Sequence, residues 1–471
     1  MELPTPDQIR TASRSFSFKL SMGLKLIIVC FLALIMCIPS FFVSSLVDDR
    51  TTSQNSAVND ISSHVGGAQT FLGPTLAIPY TTPPPDPKEA PSHGIYIVFP
   101  AQASAAVKTS TEERHRSLFK VPVFQADLKL DAAFDLRGVP ADLPSGATLD
   151  WSRAEIIVGV SDARGALADA TLTTPTSTAA LAPAAVAQSW QLSIGDNDNA
   201  HHLLTLFGAN QAALAKPDAQ FNVTANLRFS GAQRIAVLAY GKTTHVTAQG
   251  DWANPSFDGG FLPTGHDISN SGFSANWSVP FIARGVRAEG PVDTMGTLDA
   301  TALGTSFVEL ADPYQSVNRS LKYVLLFLGF VFLAYFVFEV STRKRVHPAQ
   351  YILVGIAQII FYLLLLSLAE RIGFDWSFLI AGAATVILFS LNAAWIFASR
   401  TQGIQALAVF SVLYSLIYVL LRLQDDALLV GAVASFVAIA IAMYLTRRID
   451  WYSSLPPAHS PDPPPNVVPQ G

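Results

Sequence analysis

Six stretches of this 471-residue chain run for about a bilayer's thickness without a charged side chain, and nothing else in the sequence restricts its fold as much. They are Leu26 to Val47, Tyr323 to Phe338 (carried on by Val340 past a single Glu339), Tyr351 to Ala369, Trp376 to Ser399, Thr401 to Leu421 and Ala427 to Thr446. A hydrocarbon core takes about 20 apolar residues of helix, so each run is a candidate span. Composition agrees, with 14% charged residues against 50% hydrophobic, where soluble domains carry about 25% charged.

Lys and Arg placement orients the spans, because cytoplasmic loops hold the excess of both. Arg343, Lys344 and Arg345 crowd the gap between the second and third runs, and Arg400, Arg447 and Arg448 follow the fourth and sixth. The alternate loops carry Glu370, Arg371 and Asp375, then Arg422, Asp425 and Asp426, and are neutral to acidic. The sequence therefore predicts a cytoplasmic N-terminal tail over 1–23 and a first helix over 24–47. Residues 48–318 form a domain on the outer side, and five helices follow at about 323–340, 351–369, 376–398, 404–421 and 427–445. A Pro-rich cytoplasmic tail occupies 447–471. The first run is longer than the 7 to 15 residues of a signal-peptide core and is read as an uncleaved anchor. Both cysteines, Cys30 and Cys37, lie in it, so the outer domain has no disulfide.

That domain alternates with a period of two. Every even position from Phe124 to Leu136 is apolar, as is every odd one from Phe221 to Phe229, with mostly polar residues between. "GIYIVFP", "AEIIVGVS", "RIAVLAYG" and "THVTAQG" add shorter strands bounded by Gly, Pro, Ser or Asp. The fold class is thus a membrane protein with one N-terminal transmembrane helix, a large all-β, sandwich-like periplasmic domain and a C-terminal bundle of five transmembrane helices. "YTTPPPDPKEAPSHG", 80–94, reads as a stiff surface loop, and the Asp-Trp pairs at 150–151 and 251–252 suggest an internal duplication.

Catalytic motifs are scarce. "AVLAYGKT", 236–243, has the spacing of a phosphate loop, but Val-Leu-Ala-Tyr continues a strand where a Gly-rich nest of N–H groups is needed. "GVSDARG", 159–165, has Ala163 where a nucleophile elbow needs its second Gly. His201 and His202 are adjacent and point to opposite faces of a strand, which is not metal-ligand geometry. No catalytic residue, cofactor, metal, nucleotide or nucleic acid is expected. The candidate positions are polar residues at the membrane: Glu339, Arg343, His347, Glu370, Asp425, Asp312 and Tyr314. Glu339 precedes Arg343 by one helical turn, so the two are expected to pair at the headgroup boundary, within reach of water.

"GPTLAIPY" (73–80), "WSRAEIIVGVSDARG" (151–165), "DWANPSFDGGFLP" (251–263), "DPYQSVNRSLKYVLLFLGFVF" (312–332), "HPAQYILVG" with "FYLLLLSLAE" (347–370) and "MYLTRRIDWY" (443–452) resemble the CreD family of bacterial inner-membrane proteins. The resemblance covers roughly residues 15–452. It departs at Gln424, where the family usually has an acid, and at "LADPY", 310–314, which keeps Asp312 and Tyr314. It implies a protein with a large periplasmic domain, made under a carbon-source- and envelope-responsive two-component system and linked to cell-envelope integrity, with no enzymatic activity. Expected partners are the lipid bilayer and an envelope component or membrane protein. The other classes are a transporter or lipid-handling protein, which a continuous apolar cleft through the β-domain would favour, and an enzyme, which convergent titratable groups in a pocket would favour.

Overall fold

The computed structural model describes residues 22–84, 86, 88, 90–116, 119–185, 193–195, 201–292, 298–307, 313–342, 344, 346–423 and 427–447. Two compact units divide the chain. One takes residues 1–51 and 311–471, the other 52–310.

The first unit opens with helix α1 (Met22–Ile35), separated at Met36 from α2 (Cys37–Val65), whose residues from 52 onward belong to the second unit. Pro39 explains the break: it has no N–H for the carbonyl of Ile35, and its ring presses against that carbonyl. After α3 (Pro313–Lys322) come α4 (Val324–Thr342), α5 (Pro348–Ile372), α6 (Phe374–Phe397), α7 (Arg400–Arg422) and α8 (Ala427–Thr446). Among the described residues, six helices are long and apolar enough to cross a membrane: the one running on from Gly23, α4, α5, α6, α7 and α8. Their outward faces carry Phe41, Phe42, Trp376, Trp395, Ile404 and Phe436, all more than 60% exposed. In water that surface would be a liability; in hydrocarbon it is the solvent-facing side. Inside the unit, Gly355 of α5 lets Met36 approach, since a Cβ there would lie 2.7 Å from Met36 Cγ.

In the second unit, strands β1 (Gln69–Thr82), β2 (Ser92–Val98), β3 (Gln102–Arg116), β4 (Phe119–Asp135), β5 (Glu155–Val160), β6 (Thr205–Asn210), β7 (Gln220–Ala232), β8 (Arg234–Leu238), β9 (Thr243–Gly250), β10 (Pro255–Gly259), β11 (Gly265–Ser269), β12 (Gly272–Val279) and β13 (Ala302–Phe307) build two sheets. The ten-stranded sheet runs β10-β13-β8-β1-β5-β6 and then Ala182–Pro183, with β2 also on β1; the eight-stranded one runs β11-β12-β9-β3-β4-β7 and then Thr171–Thr173 and Thr178–Ala180. The two alternating segments of the sequence are β4 and β7. They pair antiparallel with Leu128 opposite Leu227 and Phe134 opposite Phe221, so both apolar sets fall on one face. A single core holds that face and buried residues of the other sheet, Phe71, Ile156 and Val237 among them.

Three expectations need correction. Residues 48–65 continue α2 as helix, so the second unit, which takes the chain from residue 52, opens with helix and its first strand begins at Gln69. No Pro or Gly interrupts that stretch before Gly66, and Val58, Ile61 and Val65, at helical spacing, pack against Val121 and Ala232. The ends of the Pro-rich loop are strand: Tyr80 to Thr82 pair with Gly94 to Ser92. The two Asp-Trp pairs do not share an environment, because Asp150 caps a turn of 3-10 helix while Asp251 accepts Thr111 N–H at 2.8 Å.

Candidate functional site

The polar residues of the helical unit gather at its two ends and along one buried face. At one end Glu339, one turn before α4 stops, is 2% exposed. Its Oε1 accepts Val346 N–H at 2.9 Å and the ammonium of Lys25 from α1; its Oε2 accepts Tyr351 OH at 3.0 Å. The carboxylate thus ties together the first span, the α4–α5 loop and the first turn of α5. The expectation that this carboxylate reaches water is corrected: it is buried under Val346 and Tyr351, and Lys25 is its cation among the described residues. Arg343 lies outside the described residues. His347 caps α5, its Nδ1 accepting Ala349 N–H at 3.2 Å ahead of Pro348. Lys344 donates to the carbonyl of Phe397, at the C-terminus of α6, where a cation also meets the negative end of the helix dipole.

At the other end Glu370 accepts Tyr314 OH at 2.9 Å and faces Arg50 Nε at 3.7 Å. These two candidates are the pair that the structure brings together; Asp312 and Asp425 lie outside the described residues. Close by in sequence, Asp375 pairs with Arg422 and accepts Tyr418 OH at 3.0 Å.

Between the ends, Tyr351, Gln358 and Tyr362 fall on one buried face of α5. Tyr414 OH donates to Gln358 Oε1 at 2.7 Å, while Gln358 Nε2 and Tyr362 OH are buried with no hydrogen-bond partner among the described residues. Tyr335 OH donates to Phe389 O at 3.0 Å and is 3.1 Å from Asn392 Oδ1. Hydropathy and charge both overlook these side chains, since Tyr and Gln do not interrupt an apolar run; the signal available was the spacing i, i+7, i+11, which is one helical face.

The β-domain contributes a different surface. Outward residues of β3, β4, β7 and β9 line a groove of about 600 Å³ that includes Lys108, Asp127, Lys129, Asn226, Arg228 and Gln249. Arg228 faces Asp127 at 3.6 Å, and Lys129 faces Asp131 at 3.5 Å. Beside it a hollow of about 480 Å³ shares Lys108 and Gln249 and adds Asp251 and Asp267. Between the sheets the space is filled by aromatic and aliphatic side chains, with Phe124 tilted against Phe307 and Phe71 edge-on to Phe229. Arg284, 3% exposed, lies over the Phe99 ring and donates to Ala239 O at 2.8 Å; burial lowers its guanidinium to about 9. Among the described residues no three His, Cys, Asp or Glu side chains group as metal ligands.

An anchor, a two-sheet domain and five further apolar helices in this order are matched over residues 21–452 by the family model described as Inner membrane protein CreD. The chain belongs to the CreD family. It is 30% identical over 431 residues to the Inner membrane protein CreD of Escherichia coli (strain K12), covering 90% of this chain and 92% of that one. CreD membership and six apolar helices make it a multi-pass inner-membrane protein.

Proposed function

We propose that this CreD-family protein is a non-enzymatic membrane protein that supports cell-envelope integrity under stress, its β-domain binding a polar envelope component on the periplasmic side. Both termini are then cytoplasmic. The observation that carries the proposal is the groove on the eight-stranded sheet. Three cations from three strands, Lys108, Lys129 and Arg228, stand there with the carboxylates of Asp127 and Asp169 and the carboxamides of Asn226 and Gln249. Such a face, with donors and acceptors of both charges, suits a hydrogen-bonding polar polymer and offers little to an acyl chain. A carrier that passed an amphiphile through this domain would need a continuous apolar cleft, and the filled core between the sheets speaks against it.

The test is a triple substitution, Lys108→Gln, Lys129→Gln and Arg228→Gln, in a strain lacking its own copy. All three side chains are outward-facing, so the protein should reach wild-type abundance while failing to restore detergent tolerance. Full restoration at equal abundance would overturn the proposal.

A further inference from the structure

On the flank of the helical unit, α4, α7 and α8 leave a groove of about 800 Å³. Helix α8 is the most loosely held: 6% of its span is buried, against 33 to 50% for the others. On its groove side stand Ala434, Ala438 and Ala442, spaced i, i+4 and i+8, facing Val337 of α4 and Val412 of α7. Small residues at every turn keep the groove wide, and its apolar walls give water nothing to bind. In a span, the medium that fills such a space is an acyl chain.

One end differs. Ser341 and Gln402 line it, and Gln402 Oε1 is buried with no hydrogen-bond partner among the described residues. Arg400 stands two residues before Gln402, and Arg447, stacked on Tyr444 at 4.0 Å, two residues after Leu445 of the same groove. Lys344 belongs to this end as well, through Phe397. Among the described residues no Asp or Glu lines the groove. We infer that the groove holds one anionic glycerophospholipid of the surrounding bilayer: a chain along the alanines of α8, the phosphate between Arg400 and Arg447, and a headgroup hydroxyl donating to Gln402 Oε1. The acyl chain is in hydrocarbon either way, so the apolar walls give shape and little selectivity. Selection between lipids comes from the cations, each of which favours an anionic headgroup about fivefold.

Native mass spectrometry of the full-length protein tests this, with phosphatidylglycerol and phosphatidylcholine of identical chains added in detergent. One phosphatidylglycerol should remain bound at collision energies that strip other lipids, with at least a fivefold preference over phosphatidylcholine. Arg400→Gln with Arg447→Gln should bring the two lipids to parity. Ala438→Phe, which sets a ring across the groove, should abolish retention of both, whereas Ile439→Phe, on an exposed position outside the groove, should change nothing. Equal retention of both headgroups by the parent protein would overturn the inference, as would retention that survives Ala438→Phe.

Discussion

Glu339 and Tyr351 meet across the tight α4–α5 loop, the phenol donating to a carboxylate whose other oxygen holds Lys25 of the first span. The sequence separation of that ion pair is 314 residues. One buried carboxylate therefore fastens the anchor helix to the C-terminal bundle.

Removing that charge has a calculable consequence. Glu339→Gln keeps the shape but leaves Lys25 without its counter-ion and weakens the bond from Val346 N–H. Breaking one side of a buried pair costs about 3 to 5 kcal/mol, reduced here to about 2 to 3 kcal/mol because Lys25 sits near a helix end and its ammonium can turn toward water. We expect lower abundance and faster proteolysis of Glu339→Gln, and partial recovery in Glu339→Gln with Lys25→Met. Wild-type abundance of the single variant with loss of envelope function would instead assign Glu339 a direct role.

In the β-domain, Gly73 and Tyr240 form a second testable contact. Tyr240 is fully buried, its OH 2.7 Å from Ser104 O and 2.9 Å from Asp131 O with one hydrogen to share between them, and burial raises its pKa so that the hydroxyl keeps its proton. A Cβ on Gly73 would fall 2.5 Å from three carbons of the ring. Tyr240→Phe removes the one hydrogen that these two carbonyls share and should cost about 1 to 3 kcal/mol. Gly73→Ala overpacks and should cost about 3 kcal/mol. Combined with Tyr240→Leu, which removes the obstructing ring, Gly73→Ala should cost clearly less than the sum of the two, read as a coupling in thermal unfolding. Strict additivity would mean that the ring is not the obstacle.

What the sequence disclosed, and what it hid, follows from the range of each interaction. The runs that became α4 to α8 were legible because a span must be apolar along its whole length, and β4 and β7 because alternation is local. Their pairing, with Leu128 opposite Leu227, needs both faces at once and was implied by it. The helix over 48–65 was not legible because Asp, Asn, Ser and Thr dominate there and its apolar stripe, Val58, Ile61 and Val65, is only three residues long. Of the candidate site, the ends of spans were legible and the partners were not. Nothing near Glu339 in the chain points to Lys25, and Gln358 and Tyr362 carry no charge to mark them.

Glu289 gives the domain a pH signature. Its Oε1 accepts Ala141 N–H at 3.1 Å, while Oε2 is buried with no hydrogen-bond partner among the described residues. Burial raises its pKa, with Asp142 adding to the effect and the Ala141 N–H and Lys242 opposing it. A carboxyl with a raised folded-state pKa contributes most below its unfolded value, about pH 4.3, and that contribution is lost as pH rises through the folded value. At neutral pH, then, the ionised group weakens the fold. Glu289→Gln keeps the acceptor for Ala141 and removes the charge, so protease resistance of the β-domain in the full-length protein should exceed that of the parent at about pH 8 and converge on it at about pH 4. A gap that widens toward acid would contradict the assignment.

Topology is the last expectation, and it bears directly on the proposed function. Lys25, Lys344, Arg400 and Arg447 all belong to one end of the helical unit: Lys25 joins α1 to the end of α4, Lys344 reaches the end of α6, and Arg400 and Arg447 flank the polar end of the groove. The opposite end has the acids Glu370 and Asp375, each facing an arginine. From the positive-inside rule we expect the cationic end to be cytoplasmic and the β-domain therefore periplasmic. Alkaline phosphatase, active only outside the cytoplasm, should be silent when fused after Arg345 and active when fused after Asp258. The reverse pattern would invert all six spans, place the β-domain in the cytoplasm, and remove the envelope component as its ligand.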